Sequence, residues 1–244
     1  MNIRTTGLAI SLVAPITSPF TIPKCRIATR LTVQPTNTLI ATAARHSPQQ
    51  IAFNEVGRQA IMADPAWKEG RYDGHPPARG LAVARMIGHI TYMSDVSMAE
   101  KFGRRTGEAQ SRHKFSSGFE VEDYLHRKGK FFVKRFDANS YLYITKAMDN
   151  FDASAGRPFQ EVLRGTSAKV LVISFKSDWL YPAYQSKEIV KACKLAGVET
   201  TYCEIDSTYG HDAFLLEVEE ESHLIKHFLK KVFYAYEVTG DYGA

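Results

Sequence analysis

The residues best placed for chemistry in this sequence are an aspartate and a histidine, each just beyond a strand-like run. Asp178 follows the apolar run Lys169–Phe175 by three residues, and His211 follows the run 199–205 by six. One amphipathic helical pattern, 182–196, lies between the runs, so a single strand–helix–strand crossover brings both loops to the same sheet edge. Catalytic groups of open parallel sheets gather there, outside the carboxyl ends of the strands. A carboxylate beside an imidazole fixes its tautomer and stabilises the imidazolium, while the imidazole takes the proton of a hydroxyl nucleophile. Acid before base is the chain order of the second half of a nucleophile–acid–base triad. Plainer readings stand beside this one: Asp178 as a cap for the helix near Pro182, and His211 as a hydrogen-bonded loop histidine.

The nucleophile is harder to find. A G-x-S-x-G elbow should precede the strand at 38–44, but Gly7-Leu-Ala-Ile-Ser and Gly57-Arg-Gln-Ala-Ile do not fit it, and no oxyanion-hole loop is visible. Without a hydroxyl to activate, the chain alone is expected to stay at background activity. Two other groupings read as surface. His223 and His227 have the i, i+4 spacing of zinc sites but suggest no third ligand, and Glu219–Glu221 reads as a solvated helix face.

The elements that must position the pair follow from periodicity. Residues 38–44, "TLIATAA", form a short apolar run and read as a buried strand. Ser47-Pro48-Gln49-Gln50 is a capping box with proline at the first helical position, predicting a helix to about residue 63. A loop rich in glycine and proline follows at 67–80. A second helical pattern occupies 81–93, with Leu81, Ala84, Ile87 and Tyr92 inward. Charged, aromatic-bearing helical segments then run to about 155, clearest at 119–136 and 139–151, and read as a helical cap. "KVLVISF" at 169–175 is the continuous apolar run of a strand buried on both faces. Gly197 ends the following helix, and 214–233 reads as one long closing helix. The fold class is α/β, a parallel sheet carrying a helical cap insertion over about 80–165.

Composition sets bounds. With 244 residues, 44% of them hydrophobic, the chain can bury a substantial core. The net charge of +5 is scattered rather than gathered into a stripe, apart from Lys128, Lys130, Lys134 and Arg135, which argues against nucleic acid. No apolar run approaches the roughly 18 residues that a membrane span needs. Cys25, Cys193 and Cys203 lack CxxC spacing, so no metal site or disulfide framework is indicated, and a reducing cytoplasm fits best. Residues 1–37 read as a leader outside the domain at 38–244, as either an organellar transit peptide or an unstructured segment.

Four ordered blocks, "ATAARHSPQQIAFNEVGRQAI" (41–61), "GLAVARMIGHITYMS" (80–94), "LVISFKSDWLYP" (171–182) and "YGHDAFL" (209–215), resemble the C-terminal portion of homoserine O-acetyltransferase. That family consists of α/β-hydrolase-fold acyltransferases of methionine biosynthesis. The resemblance implies acetyl transfer from acetyl-CoA, as acyl-donor substrate, to the hydroxyl of L-homoserine, with no resident cofactor. It assigns Asp178 as triad acid and His211 as base. Arg85 and Tyr92 would hold the homoserine carboxylate and Asp212 its amine, roles suited to a bidentate guanidinium and an anionic carboxylate. It further implies a homodimer formed through the cap. The first half of the family's fold has no counterpart in 1–37. Alternatives are a homoserine or serine O-succinyltransferase, an α/β-hydrolase esterase, and a non-catalytic remnant that self-associates. Arg85, Tyr92 and Asp212 speak against the esterase, which needs no amino-acid clamp.

Overall fold

The computed structural model describes residues 35–106 and 118–239. Most of the predicted leader, Cys25 and the segment 107–117 therefore lie outside the described residues.

Strand β1 (Thr36–Ile40) opens the sheet. It begins and ends earlier than the predicted 38–44, because Ala41 turns out of the strand with φ of 47°. Its N–H still donates to Ile173 O at 3.0 Å, one last rung before the chain leaves the sheet. Helix α1 (Pro48–Met62) starts on the expected capping box: Ser47 Oγ accepts from Gln50 N, and Gln50 Oε1 from Ser47 N. Helices α2 (Ala78–Tyr92), α3 (Asp95–Phe102), α4 (Glu120–Val133), α5 (Ala138–Asn150) and α6 (Phe159–Val162) form the predicted cap region. A single 3-10 turn, Lys68–Gly70, interrupts the loop before α2.

Then come β2 (Lys169–Phe175), α7 (Ala183–Leu195) and β3 (Thr200–Ile205), the anticipated strand–helix–strand unit. The sheet is parallel in the order β1-β2-β3, with Leu39 opposite Val172 and Ile173 opposite Cys203. Because side chains alternate across a strand, β2 feeds two cores. Leu171, Ile173 and Phe175 pack with Phe228 and Val232 on one face. Val170 and Val172 pack with Ile189, Val190 and Cys193 of α7 on the other. This two-sided burial explains the unbroken apolar run.

The cap has its own core of Ile61, Leu81, Ala84, Phe132 and Ala138. Helices α1 and α2 cross so closely at Gly80 that a methyl there would lie 2.3 Å from Ala60 O. Leu81 and Ala84 are buried as expected, whereas Ile87 and Tyr92 are only partly so.

Two expectations need correction. The closing helix is not continuous: α8 (Ala213–Leu216) ends at Glu217, whose ψ of 43° leaves helical space, and α9 (Val218–Thr239) begins afresh. Nor are the three glutamates all solvated. Glu219 and Glu220 are exposed, but Glu221 retains 8% of its surface and its Oε1 has no hydrogen-bond partner among the described residues. Among the described residues no helix is long and apolar enough to cross a membrane.

Candidate active site

The β2–α7 loop carries Asp178, and a 3-10 turn (Gly210–Asp212) after β3 carries His211. The crossover places them side by side, with Asp178 Oδ2 2.8 Å from His211 Nδ1. The other carboxylate oxygen accepts from Leu180 N at 3.0 Å and Tyr181 N at 2.8 Å, so Asp178 both shapes its own loop and holds the histidine. An ionised carboxylate only accepts. The proton between them therefore sits on Nδ1, and the neutral ring presents Nε2 as the basic atom.

Gly210 lets the turn approach the end of α2. Its φ is +73°, and a methyl on it would lie 2.5 Å from Ser94 N. Gly210 N donates to Ser177 Oγ at 2.9 Å, tying the two loops together. Trp179 Nε1 donates to Met93 O at 2.9 Å, and the Ser94 hydroxyl donates to Thr208 O.

Aromatic rings surround the imidazole. Tyr181 stacks on it at 4.9 Å and 29° between planes, Phe214 lies at 5.2 Å and Tyr92 at 6.1 Å. Tyr92 in turn packs against Arg85, whose guanidinium carbon is 5.4 Å from the ring centre and 4.8 Å from that of Phe132. Arg85 Nε donates to His89 Nε2 at 3.1 Å. Burial first, and then the nearby Arg85 charge, push the His89 imidazole down to about 4, so it stays neutral and can accept. Its Nδ1–H then donates to the Tyr124 hydroxyl, 3.1 Å away. One edge of Arg85 is thus fixed, and it forms no ion pair among the described residues.

Asp212 sits beside His211, partly buried. Burial raises its carboxyl above the usual range, opposed by the charges of His211, Lys101, Arg85 and Lys128. The five residues named from sequence are therefore neighbours: Asp178 bonded to His211, Tyr92 packed on it, Arg85 packed on Tyr92, and Asp212 within the field of both charged groups. Sequence reasoning missed Tyr181, His89 and Trp179. Only Tyr181 and Trp179 left a trace, as the large apolar residues within "SDWLYP".

Known proteins resemble this chain in sequence and in fold. No family model matches the chain. The chain is 55% identical over 196 residues to homoserine O-acetyltransferase of Methanobrevibacter ruminantium, covering 79% of this chain and 40% of the relative. The corresponding protein of Leptospira biflexa is 48% identical over 192 residues, covering 78% of this chain and 50% of that one. The chain thus spans about half the length, or less, of the curated relatives it matches. Among solved structures, homoserine O-acetyltransferase from Bacillus anthracis superposes with a TM-score of 0.71 at 26% identity, over 82% of this chain and 52% of that one. Esterase E22 has the same TM-score at 21% identity, over 80% of this chain and 54% of that one, a likeness of fold alone. By sequence and by fold, some four-fifths of this chain resembles the C-terminal portion of the homoserine O-acetyltransferases, with an α/β-hydrolase fold.

Proposed function

We propose that this chain supplies the acid–base pair and the alcohol-acceptor clamp of a homoserine O-acetyltransferase. The observation that carries the reading is the 2.8 Å contact between Asp178 and His211, with Tyr92 packed between the same imidazole and Arg85. In this scheme His211 Nε2 takes the proton of a hydroxyl nucleophile, whose oxygen attacks the thioester carbonyl of acetyl-CoA. The CoA sulfur leaves with the proton returned by the imidazolium. His211 then takes the proton of the homoserine hydroxyl, which attacks the acyl-enzyme ester, and the imidazolium returns that proton to the nucleophile's oxygen as it leaves. Arg85 forks onto the homoserine carboxylate with support from Tyr92, and Asp212 receives the ammonium. The esterases of similar fold favour no second reading, because the Arg85–Tyr92–Asp212 set suits an amino acid rather than water.

The 244 residues contain no G-x-S-x-G, so the hydroxyl in this scheme comes from polypeptide outside them. The reading further includes a cytoplasmic homodimer formed through the cap, whose exposed Phe131, Tyr143 and Ile144 offer apolar surface. The test is homoserine-dependent release of free CoA. The chain alone should stay at background, and adding a fragment with an elbow serine should give activity that His211→Ala and Arg85→Ala both abolish. Activity of the complemented pair that survives His211→Ala refutes the assignment.

A further inference from the structure

Tyr181 is held at three points, two on the Asp178–His211 pair and one outside it. Its backbone N–H is bound by Asp178, its ring lies on His211, and its hydroxyl is 3.0 Å from His46 Nε2. His46 Nδ1 is in turn 3.0 Å from Asp149 Oδ1, which also accepts from Asn54 Nδ2 at 2.7 Å. The second oxygen of Asp149 makes an ion pair with Arg58 Nη1 at 2.6 Å. The His46, Asp149 and Arg58 side chains keep only 9%, 4% and 6% of their surface. These residues come from the β1–α1 loop, the end of α5 and the middle of α1, so a chain of contacts through three elements ends, at His46, on the phenol oxygen.

The donors can be ordered from the charged end. Asp149 faces a guanidinium and acts as acceptor, so His46 Nδ1 carries its proton toward it. With Nδ1 turned to Asp149, Nε2 is the ring atom left for the Tyr181 hydroxyl, 3.0 Å away. Anchored at that end and at its backbone, the phenol ring has little freedom to leave the imidazole face.

Resting on the assignment of His211 as base, we propose that Tyr181, anchored by the buried His46–Asp149–Arg58 network, is a positioning residue for His211. It holds the imidazole plane square to Asp178 and favours the protonated ring through contact with its π-face. The network also ties the end of α5, in the cap, to the base.

Other groups face the imidazole too: Asp178 from the β2–α7 loop, Tyr92 from α2, Phe214 from α8 and Asp212 from its own turn. Arg85 acts from behind Tyr92, and Lys101 and Lys128 lie within the field of Asp212. All of them remain when Tyr181 alone is changed, so the difference isolates its part. The experiment is a histidine-resolved nitrogen NMR titration of the purified chain, wild type against Tyr181→Leu and Tyr181→Phe. The Leu variant removes the stacking ring, and the His211 pKa should fall by about half a unit to one unit, a three- to ten-fold loss of proton affinity. The Phe variant keeps the ring and should restore most of that value. Lacking the anchor, it should still exchange its His211 Nδ1 proton at least about five-fold faster than wild type. If the Leu variant does not fold, the exchange rate in the Phe variant decides. An unchanged His211 pKa in the Leu variant, or an unchanged exchange rate in the Phe variant, overturns the proposal. Neither readout needs turnover, so a chain that keeps these signatures yet fails the complementation assay faults the acyltransfer reading and leaves this one standing.

Discussion

Glu221 offers the sharpest test of the packing. It lies in the first turn of α9 with one carboxylate oxygen unpartnered, and burial, with a smaller contribution from Glu217, pushes its carboxyl from 4.5 up to about 7. The folded protein therefore binds a proton that the unfolded chain has already released between those two values. Stability falls as pH rises through that window: the penalty is absent well below 4.5 and fully developed above 7. A difference of about 2.5 units at 1.36 kcal/mol per unit amounts to about 3 kcal/mol at pH 8 and, by the same linkage, about 1 kcal/mol at pH 5. Glu221→Gln keeps the size and removes the charge. Urea unfolding followed by circular dichroism at both pH values, variant against wild type, cancels every other titrating group. The stability gained by the variant should grow by about 2 to 3 kcal/mol from pH 5 to pH 8. A gain that is the same at both pH values would refute the reasoning, since an uncharged or well-solvated Glu221 has no such pH dependence.

Gly210→Ala should both destabilise the fold and displace the base. Positive φ costs a non-glycine residue about 1 to 2 kcal/mol, and forcing a methyl against the Tyr92–Ser94 backbone adds about 1 to 3. A Tm lowered by roughly 10 °C follows for a chain of this size, read by calorimetry; a variant that melts with the wild type contradicts the close approach. The cap-mediated dimer predicts a sedimentation coefficient that drops to that of the monomer on Phe131→Lys and Tyr143→Lys together; a wild-type chain that sediments as a monomer at micromolar concentration removes that part of the reading.

The elements positioning the pair were legible because their signals are local. An apolar run buried on both faces, a capping box and a glycine after a helix each declare themselves within seven residues, and they located β2, α1 and α7. The Asp178–His211 contact followed from topology, since one crossover must set the two loops together. Glu221 was misread, although its spacing contained the answer. It stands four residues before Ile225 and seven before Phe228, on the helical stripe that packs against the sheet, so position outweighed residue type. The break at Glu217 left no glycine or proline to betray it. The Tyr181–His46 bond joins residues 135 apart in the chain, and no window of sequence contains such a contact. Ala41 shortened β1 through a single backbone angle that its side chain does not advertise.

The fit between Gly210 and the end of α2 bears on how this protein can be recombined. Three links join residues 93 and 94 to the two catalytic loops: the close approach at Gly210, the Trp179 indole on Met93 O, and the Ser94 hydroxyl on Thr208 O. A chimaera with its seam between α2 and β2 would set one parent's helix terminus against the other's loops, and any residue but glycine at position 210 would part them. Exchanged as one block, from the start of α2 through the end of α8, the same residues carry their mutual fit with them. The cap and the base are in that sense inherited together, and shuffling schemes that treat the helical insertion as an interchangeable lid should lose the geometry of His211 before they lose the fold.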